Sequence, residues 1–204
     1  MKTRLLMMAL MLGGHFYATA QVEKGSTLIG GNISFTSKNN DTTGKTGGGT
    51  AVIKAGRAFS ENVVWGIFGI FSHSVTRSSS SVPRTHGSLY GGGIFNRLYK
   101  PLGKGFNLFG ESSLMYAHTR STLPYDDRKA TIDQVGLGFA PGISYQILDW
   151  AQLELSLPDI LSASYIRARP VWGDTQPKNN SFAVSTSLKG STADLLGLGF
   201  TLLF

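Results

Sequence analysis

Hydrophobic and polar positions alternate with a period of two through most of the chain after residue 25. That is the spacing of a β-strand whose two faces meet different surroundings. The pattern is cleanest over 130–146. Val135, Leu137, Phe139, Pro141, Ile143 and Tyr145 share one face, and Gln134, Gly136, Gly138, Ala140, Gly142 and Ser144 share the other. The final segment repeats it, with Leu196, Leu198, Phe200, Leu202 and Phe204 opposed to Gly197, Gly199, Thr201 and Leu203. One face is large and apolar, the other small or polar. Runs of this kind predict strands at 26–36, 49–58, 63–75, 87–98, 106–118, 130–146, 151–166 and 192–204.

The connections alternate as well. Ser60-Glu61-Asn62, Tyr99 to Gly105 and Ile147 to Trp150 are short, whereas 37–48, 76–86, 119–129 and 167–180 are long and polar. Tight turns at one end and long loops at the other match an up-and-down antiparallel transmembrane β-barrel. Aromatic residues collect beside the short turns: Phe59 and Trp65, Tyr99 and Phe106, Tyr145 and Trp150, with Phe204 at the chain end. Such a ring is expected at a membrane interface, here the periplasmic one. Pro158-Asp159 interrupts the seventh strand, and Lys189-Gly190-Ser191 separates an apparent piece at 181–188 from the last. Counting that piece alone gives an odd number, while bacterial single-chain barrels have even numbers. We therefore read 181–204 as one long bulged strand and expect eight strands; splitting at Pro158 as well gives ten, the alternative.

The N-terminus changes the picture by adding an address. Lys2 and Arg4 precede the apolar run Leu5 to Leu12, and Ala18-Thr19-Ala20 offers a small-x-small cleavage site before Gln21. Residues 1–20 are expected to be a cleaved signal peptide and 21–204 the barrel domain. The apolar run is too short to anchor the chain as a helix, and no later stretch is long and apolar enough to span as one. With no cysteine, disulfides, thiolate metal sites and cysteine nucleophiles are excluded. Mean hydropathy near zero with 11% aromatics argues against disorder.

The segments Phe95-Asn96-Arg97-Leu98-Tyr99-Lys100-Pro101-Leu102-Gly103-Lys104, Phe109-Gly110-Glu111 and Ala140-Pro141-Gly142-Ile143-Ser144-Tyr145 carry a family resemblance. The chain resembles the small outer-membrane β-barrel proteins of Gram-negative bacteria, of OmpA/OmpX-type architecture, and most of all the porin-like versions of Bacteroidetes-type bacteria. The resemblance implies an outer-membrane location. It also likens the last strand, ending in Phe204, to the signal read by the barrel-assembly machinery, and implies no particular task.

An eight-stranded barrel is narrow enough for side chains to fill it. The greasy faces of the fourth and fifth strands turn Arg97 and Glu111 inward at similar distances from their shared turn, so the two should pair. Lys54 and Glu154, also inward, could extend the pair into a network that blocks ion flow. Lipid A hydrolases and acyltransferases share the fold, and His86-Gly87-Ser88 has the His-x-Ser spacing of the deacylases, but no carboxylate is assignable as a third member. No catalytic residue, metal site or cofactor is expected, and no nucleic-acid motif is present. The long stretches hold Lys38, Lys45, Arg77, Arg84, Arg120, Arg128, Lys129, Arg167, Arg169 and Lys178 against Asp41, Asp126, Asp127 and Asp174. Outward-facing loops with this excess would bind lipopolysaccharide phosphates, with Arg77, Arg84, Arg120, Arg128, Lys129, Arg167 and Arg169 the candidate anion-binding residues.

Three functions follow. The first is a non-enzymatic, monomeric outer-membrane barrel acting in envelope integrity or contact through basic extracellular loops. The second is an exported soluble barrel of lipocalin type with its apolar face inward. The third is a lipid A-modifying enzyme. The first places lipid on Ile29, Ile33, Phe35, Trp65, Ile67, Leu108, Leu114, Tyr116, Val135, Leu137, Phe139, Ile143, Leu198, Phe200 and Leu202.

Overall fold

The computed structural model describes residues 21–40, 44–77, 85–122, 129–157, 159–170, 179–186 and 197–204. The expected signal peptide, Arg84, Arg128, Lys178 and Pro158 lie outside the described residues. The strands are β1 Thr27–Asn40, β2 Gly44–Ser60, β3 Val63–Arg77, β4 Thr85–Gly103, β5 Phe106–Thr122, β6 Lys129–Leu148, β7 Ala151–Ser156, β8 Leu161–Pro170, β9 Asn179–Thr186 and β10 Gly197–Leu203. β1 to β6 pair in chain order, each antiparallel to the next. β6 then pairs with β7, β7 with β10, and β10 returns to β1, which closes an eight-stranded ring.

Two strands lie outside that ring. β8 pairs with the Ala130–Phe139 half of β6, and β9 pairs with β8. Leu157 to Ile160 stand opposite only Ala140 and Pro141 of β6, a local insertion that separates β7 from β8. The Leu157 and Ile160 amides still donate to the Pro141 and Phe139 carbonyls, each at 2.9 Å, so the chain bulges without leaving the sheet. Of the long bulged strand expected over 181–204, the described parts are β9 and β10, and they have different partners. β9 joins β8 only, and β10 joins β7 and β1.

β4, β5 and β6 have 19, 17 and 20 residues, well beyond the roughly 9–11 that cross a bilayer. Pairing continues past the membrane, so much of what read as polar loop is strand. At the opposite end the turns are tight. Gly103, Lys104 and Gly105 all have positive φ (87°, 52° and 80°), which two glycines make accessible, and Asn62 (φ 61°) does the same for the β2–β3 turn.

Large apolar side chains face outward around the whole ring. Phe35, Ile67, Leu137 and Leu198 are 84%, 65%, 58% and 64% exposed, and the rest of the expected lipid-facing set is likewise exposed, except Leu202, which is half-buried. A closed barrel with an apolar outside and a polar inside spans a membrane, as the barrels of the bacterial outer membrane do. Among the described residues no helix is long and apolar enough to cross one.

Inside the turn end, Val22, Leu28, Val64, Phe95, Tyr99 and Phe109 form a buried cluster. Small residues above it make room for larger ones. A Cβ on Gly142 would run into the Phe109 ring and lie 2.8 Å from the Leu155 carbonyl oxygen. A Cβ on Gly138 meets the carboxylate of Asp159, the movable end of a side chain. Gly142→Ala should therefore cost about 1–3 kcal/mol by overpacking. Gly138→Ala should cost less, and urea unfolding in liposomes followed by heat-modifiable electrophoresis would rank them.

Candidate functional site

Arg97 lies at the centre of the lumen. Its neighbours Asn96 and Leu98 face outward, so period two sends Arg97, Phe95 and Tyr99 inward. Register sets Arg97 opposite Glu111. Arg97 Nε and Nη2 donate to Glu111 Oε2 at 2.9 and 2.7 Å. Arg97 Nη1 donates to Glu154 Oε1 at 2.5 Å and to the Tyr99 hydroxyl at 3.0 Å. Lys54 Nζ donates to Glu111 Oε1. Four charges from β2, β4, β5 and β7 thus form one chain of charge-assisted hydrogen bonds, two positive and two negative. Arg97 is only 2% exposed, and its guanidinium carbon sits 4.4 Å from the centre of the Phe109 ring. Paired this completely, the buried charges escape the penalty of standing alone.

Above the network a cavity of about 70 Å³ is lined by Lys54, Arg97, Glu111 and Glu154, with Asn32 and Ser156. Its volume is that of a few waters, too small for a solute. Asp159 reaches in from the β7–β8 insertion over Gly138. Below lies the apolar cluster around Tyr99 and Phe109.

Tyr99 was expected in the aromatic ring at the turns; the structure corrects this. It is 6% exposed and turned inward to Arg97, because its neighbour Leu98 takes the lipid side. The remaining expected members are placed outside near the short turns. Phe59, Trp65, Phe106, Trp150 and Phe204 are exposed, and Tyr145 is half-buried with its ring 4.7 Å from that of Phe106.

The second correction concerns the basic residues. Arg77, Arg120, Lys129, Arg167 and Arg169 are on β3, β5, β6 and β8, not in loops. By alternation with Val75, Tyr116, Val135 and Tyr165, Arg77, Arg120, Arg167 and Arg169 belong to the outer face, above the apolar belt. Around them is a polar cluster that sequence reasoning missed. Tyr116 donates to Asp133 Oδ1 at 2.7 Å, and His118 Nδ1 lies at the same distance from that oxygen. Arg120 Nε donates to His118 Nε2 at 3.4 Å, which leaves Nδ1 as the protonated nitrogen. Arg169 Nη2 is 3.4 Å from Asp133 Oδ2, and the Arg120 guanidinium lies 5.6 Å from the Tyr90 ring centre. Cross-strand pairing of Tyr116 with Val135 and of His118 with Asp133 was the signal, and it needed a register that alternation alone does not supply.

Ser88 is also on this outer wall. The imidazole beside it is His73 on the neighbouring strand, Nδ1 to Oγ 3.2 Å, with the His86 ring tilted against that of His73, centres 6.2 Å apart. The carboxylate of Asp133 is bonded to His118, not His73. Among the described residues no group of three or more His, Cys, Asp and Glu side chains could hold a metal ion.

No family model matches the chain, and no curated protein matches it in sequence. Solved structures similar to it include Neisserial surface protein A, at 15% identity and a TM-score of 0.47, covering 89% of this chain and 98% of that one. A major outer membrane protein from Thermus thermophilus has 13% identity and a TM-score of 0.47, covering 89% and 100%. Ail, the attachment invasion locus protein of Yersinia pestis, has 11% identity and a TM-score of 0.40, covering 89% and 99%.

Proposed function

We propose that the chain is a non-conducting, non-enzymatic outer-membrane barrel that helps hold the envelope together by binding anionic groups of lipopolysaccharide on its outer wall. The observation that carries this reading is the set of outward arginines, Arg77, Arg120, Arg167 and Arg169, on the same strands as the apolar belt and above it. Guanidinium groups at that height meet lipid phosphates and form charge-assisted, bidentate bonds with them. The filled lumen supports the non-conducting part. On this reading the mature chain starts at Gln21, its Phe204 strand is recognised by the barrel-assembly machinery, and it acts as a monomer.

The test is co-purification. The triple variant Arg120→Gln, Arg167→Gln, Arg169→Gln should retain several-fold less lipopolysaccharide than wild type after identical detergent extraction; equal retention ends the reading. Ser88→Ala should leave lipid A mass spectra unchanged in cells that overproduce the protein. A change there would favour the enzymatic alternative. The lipocalin alternative needs an apolar interior around a ligand; here the apolar belt faces out, and the interior is filled by the charge network and the apolar cluster at the turn end.

A further inference from the structure

We infer that the wall formed by β3, β4, β5, β6, β8 and β9 holds one outer-leaflet lipid of the lipid A class in a defined pose, one acyl chain in a slanting groove and a phosphate at Arg120, Arg167 and Arg169. This deepens the proposed function and rests on it.

The groove is a depression of about 470 Å³ on the outer surface. Its lining follows two neighbouring cross-strand rows. One runs Trp65, Asn96, Ser112, Phe139, Leu161. The next runs Ile94, Leu114, Leu137, Ala163, Val184. Bulky side chains form the banks, and the short ones at Asn96, Ser112 and Ala163 make the floor. The Asn96 amide donates to the Val64 carbonyl at 3.3 Å, so its polar group is engaged with backbone rather than bare to the chain it would meet.

Direction links the groove to the arginines. The strands of a barrel are tilted, so rows perpendicular to them slant across the wall. Here they run from Trp65, close to a short turn, to β8 and β9 in the half of the molecule where β6 has left β7. Ala163, at the high end, is four residues below Arg167 on β8, about 13 Å along the strand. Leu114 stands six residues beneath Arg120 on β5, about 20 Å along the strand. A lipid with its phosphate among these arginines therefore drops its chain into the groove. Asp133 is the opposing charge at the site. It engages Arg169 at 3.4 Å and is bonded by Tyr116 and His118, so among the described residues three arginines, Arg120, Arg167 and Arg169, face one carboxylate. The net charge suits a phosphate, and the apolar banks suit its chain.

The experiment is native mass spectrometry of the detergent-solubilised full barrel with bisphosphorylated hexa-acylated lipid A, and with the same lipid lacking its phosphates. Wild type should saturate at one lipid per barrel and bind the dephosphorylated lipid at least tenfold more weakly. Ser112→Leu and Ala163→Leu fill the floor from two separate strands and should each weaken lipid A binding about tenfold. Heat-modifiable mobility confirms folding, and two positions keep the test open should one variant misfold. If both filled grooves bind like wild type while Arg167→Gln/Arg169→Gln binds weakly, the pose is wrong and the arginine reading survives. Wild-type binding by the arginine variant overturns both. Uptake of many lipids without saturation, or indifference to the phosphates, overturns the pose.

Discussion

Replacing Arg97 with Met should destabilise the barrel by about 3–5 kcal/mol, the cost of leaving a buried charge without its partner. The loss is not of one contact. Glu154 loses its cation outright, and Glu111 keeps only Lys54. Methionine fills similar volume against Phe109 and Tyr99, which isolates charge from packing. Adding Glu154→Gln to Arg97→Met removes one stranded carboxylate and should recover part of the loss, a coupling that separates a network from a set of independent pairs. Urea midpoints in liposomes measure both. A loss below about 1 kcal/mol for the single variant would mean that water already reaches these groups. Planar-bilayer recordings add a second reading: wild type should be silent, and a large steady wild-type current would contradict a filled lumen.

Leu137→Arg should cost about 2–4 kcal/mol if Leu137 lies near the midplane of the bilayer, because hydrocarbon cannot solvate a guanidinium. Leu137 is 58% exposed, yet the solvent it is exposed to is lipid. Gly138→Ser, one residue on and facing the lumen, should be milder, since its hydroxyl meets the Asp159 carboxylate and water. Folding into liposomes with a urea titration decides the order. The reverse order would turn the barrel inside out.

Much of this wall was legible from alternation alone. Period two separates Val135, Leu137 and Phe139 from Gly136 and Gly138 with no knowledge of neighbours. Arg97 and Glu111 were open to the same reasoning because one turn joins their strands and fixes which residues face each other. Tyr99 shows how the rule can be overruled by a weaker one. Its distance from Arg97 points it inward, but its place beside a turn suggested the interface. Strand ends were hidden for a different reason. Beyond the membrane both faces of a strand meet water, so the alternation that marks a strand vanishes while the hydrogen bonds continue, and Arg120 and Arg169 look like loop. The Tyr116–His118–Asp133 cluster depends on which residue of β5 meets which of β6, and long connections leave that register free.

The seam has a kinetic meaning. Among the described residues, 28–32 meet 199–203 in five pairs, where β1 and β2 share fourteen. Thr27 and Phe204 add a reciprocal pair of backbone bonds at its lower end, 2.7 and 3.0 Å. Most other pairings in the ring join strands adjacent in the chain, so they form by zipping hairpins with little loop entropy to overcome. Closing the seam brings together the two ends of the barrel, the most distant contact in the ring, and long-range contacts are slow to form. Assembly therefore waits on its most distant pairing. Within the membrane span, amide exchange in the finished protein should begin at the same place, at those amides of Leu28 to Asn32 that donate to β10 rather than to β2.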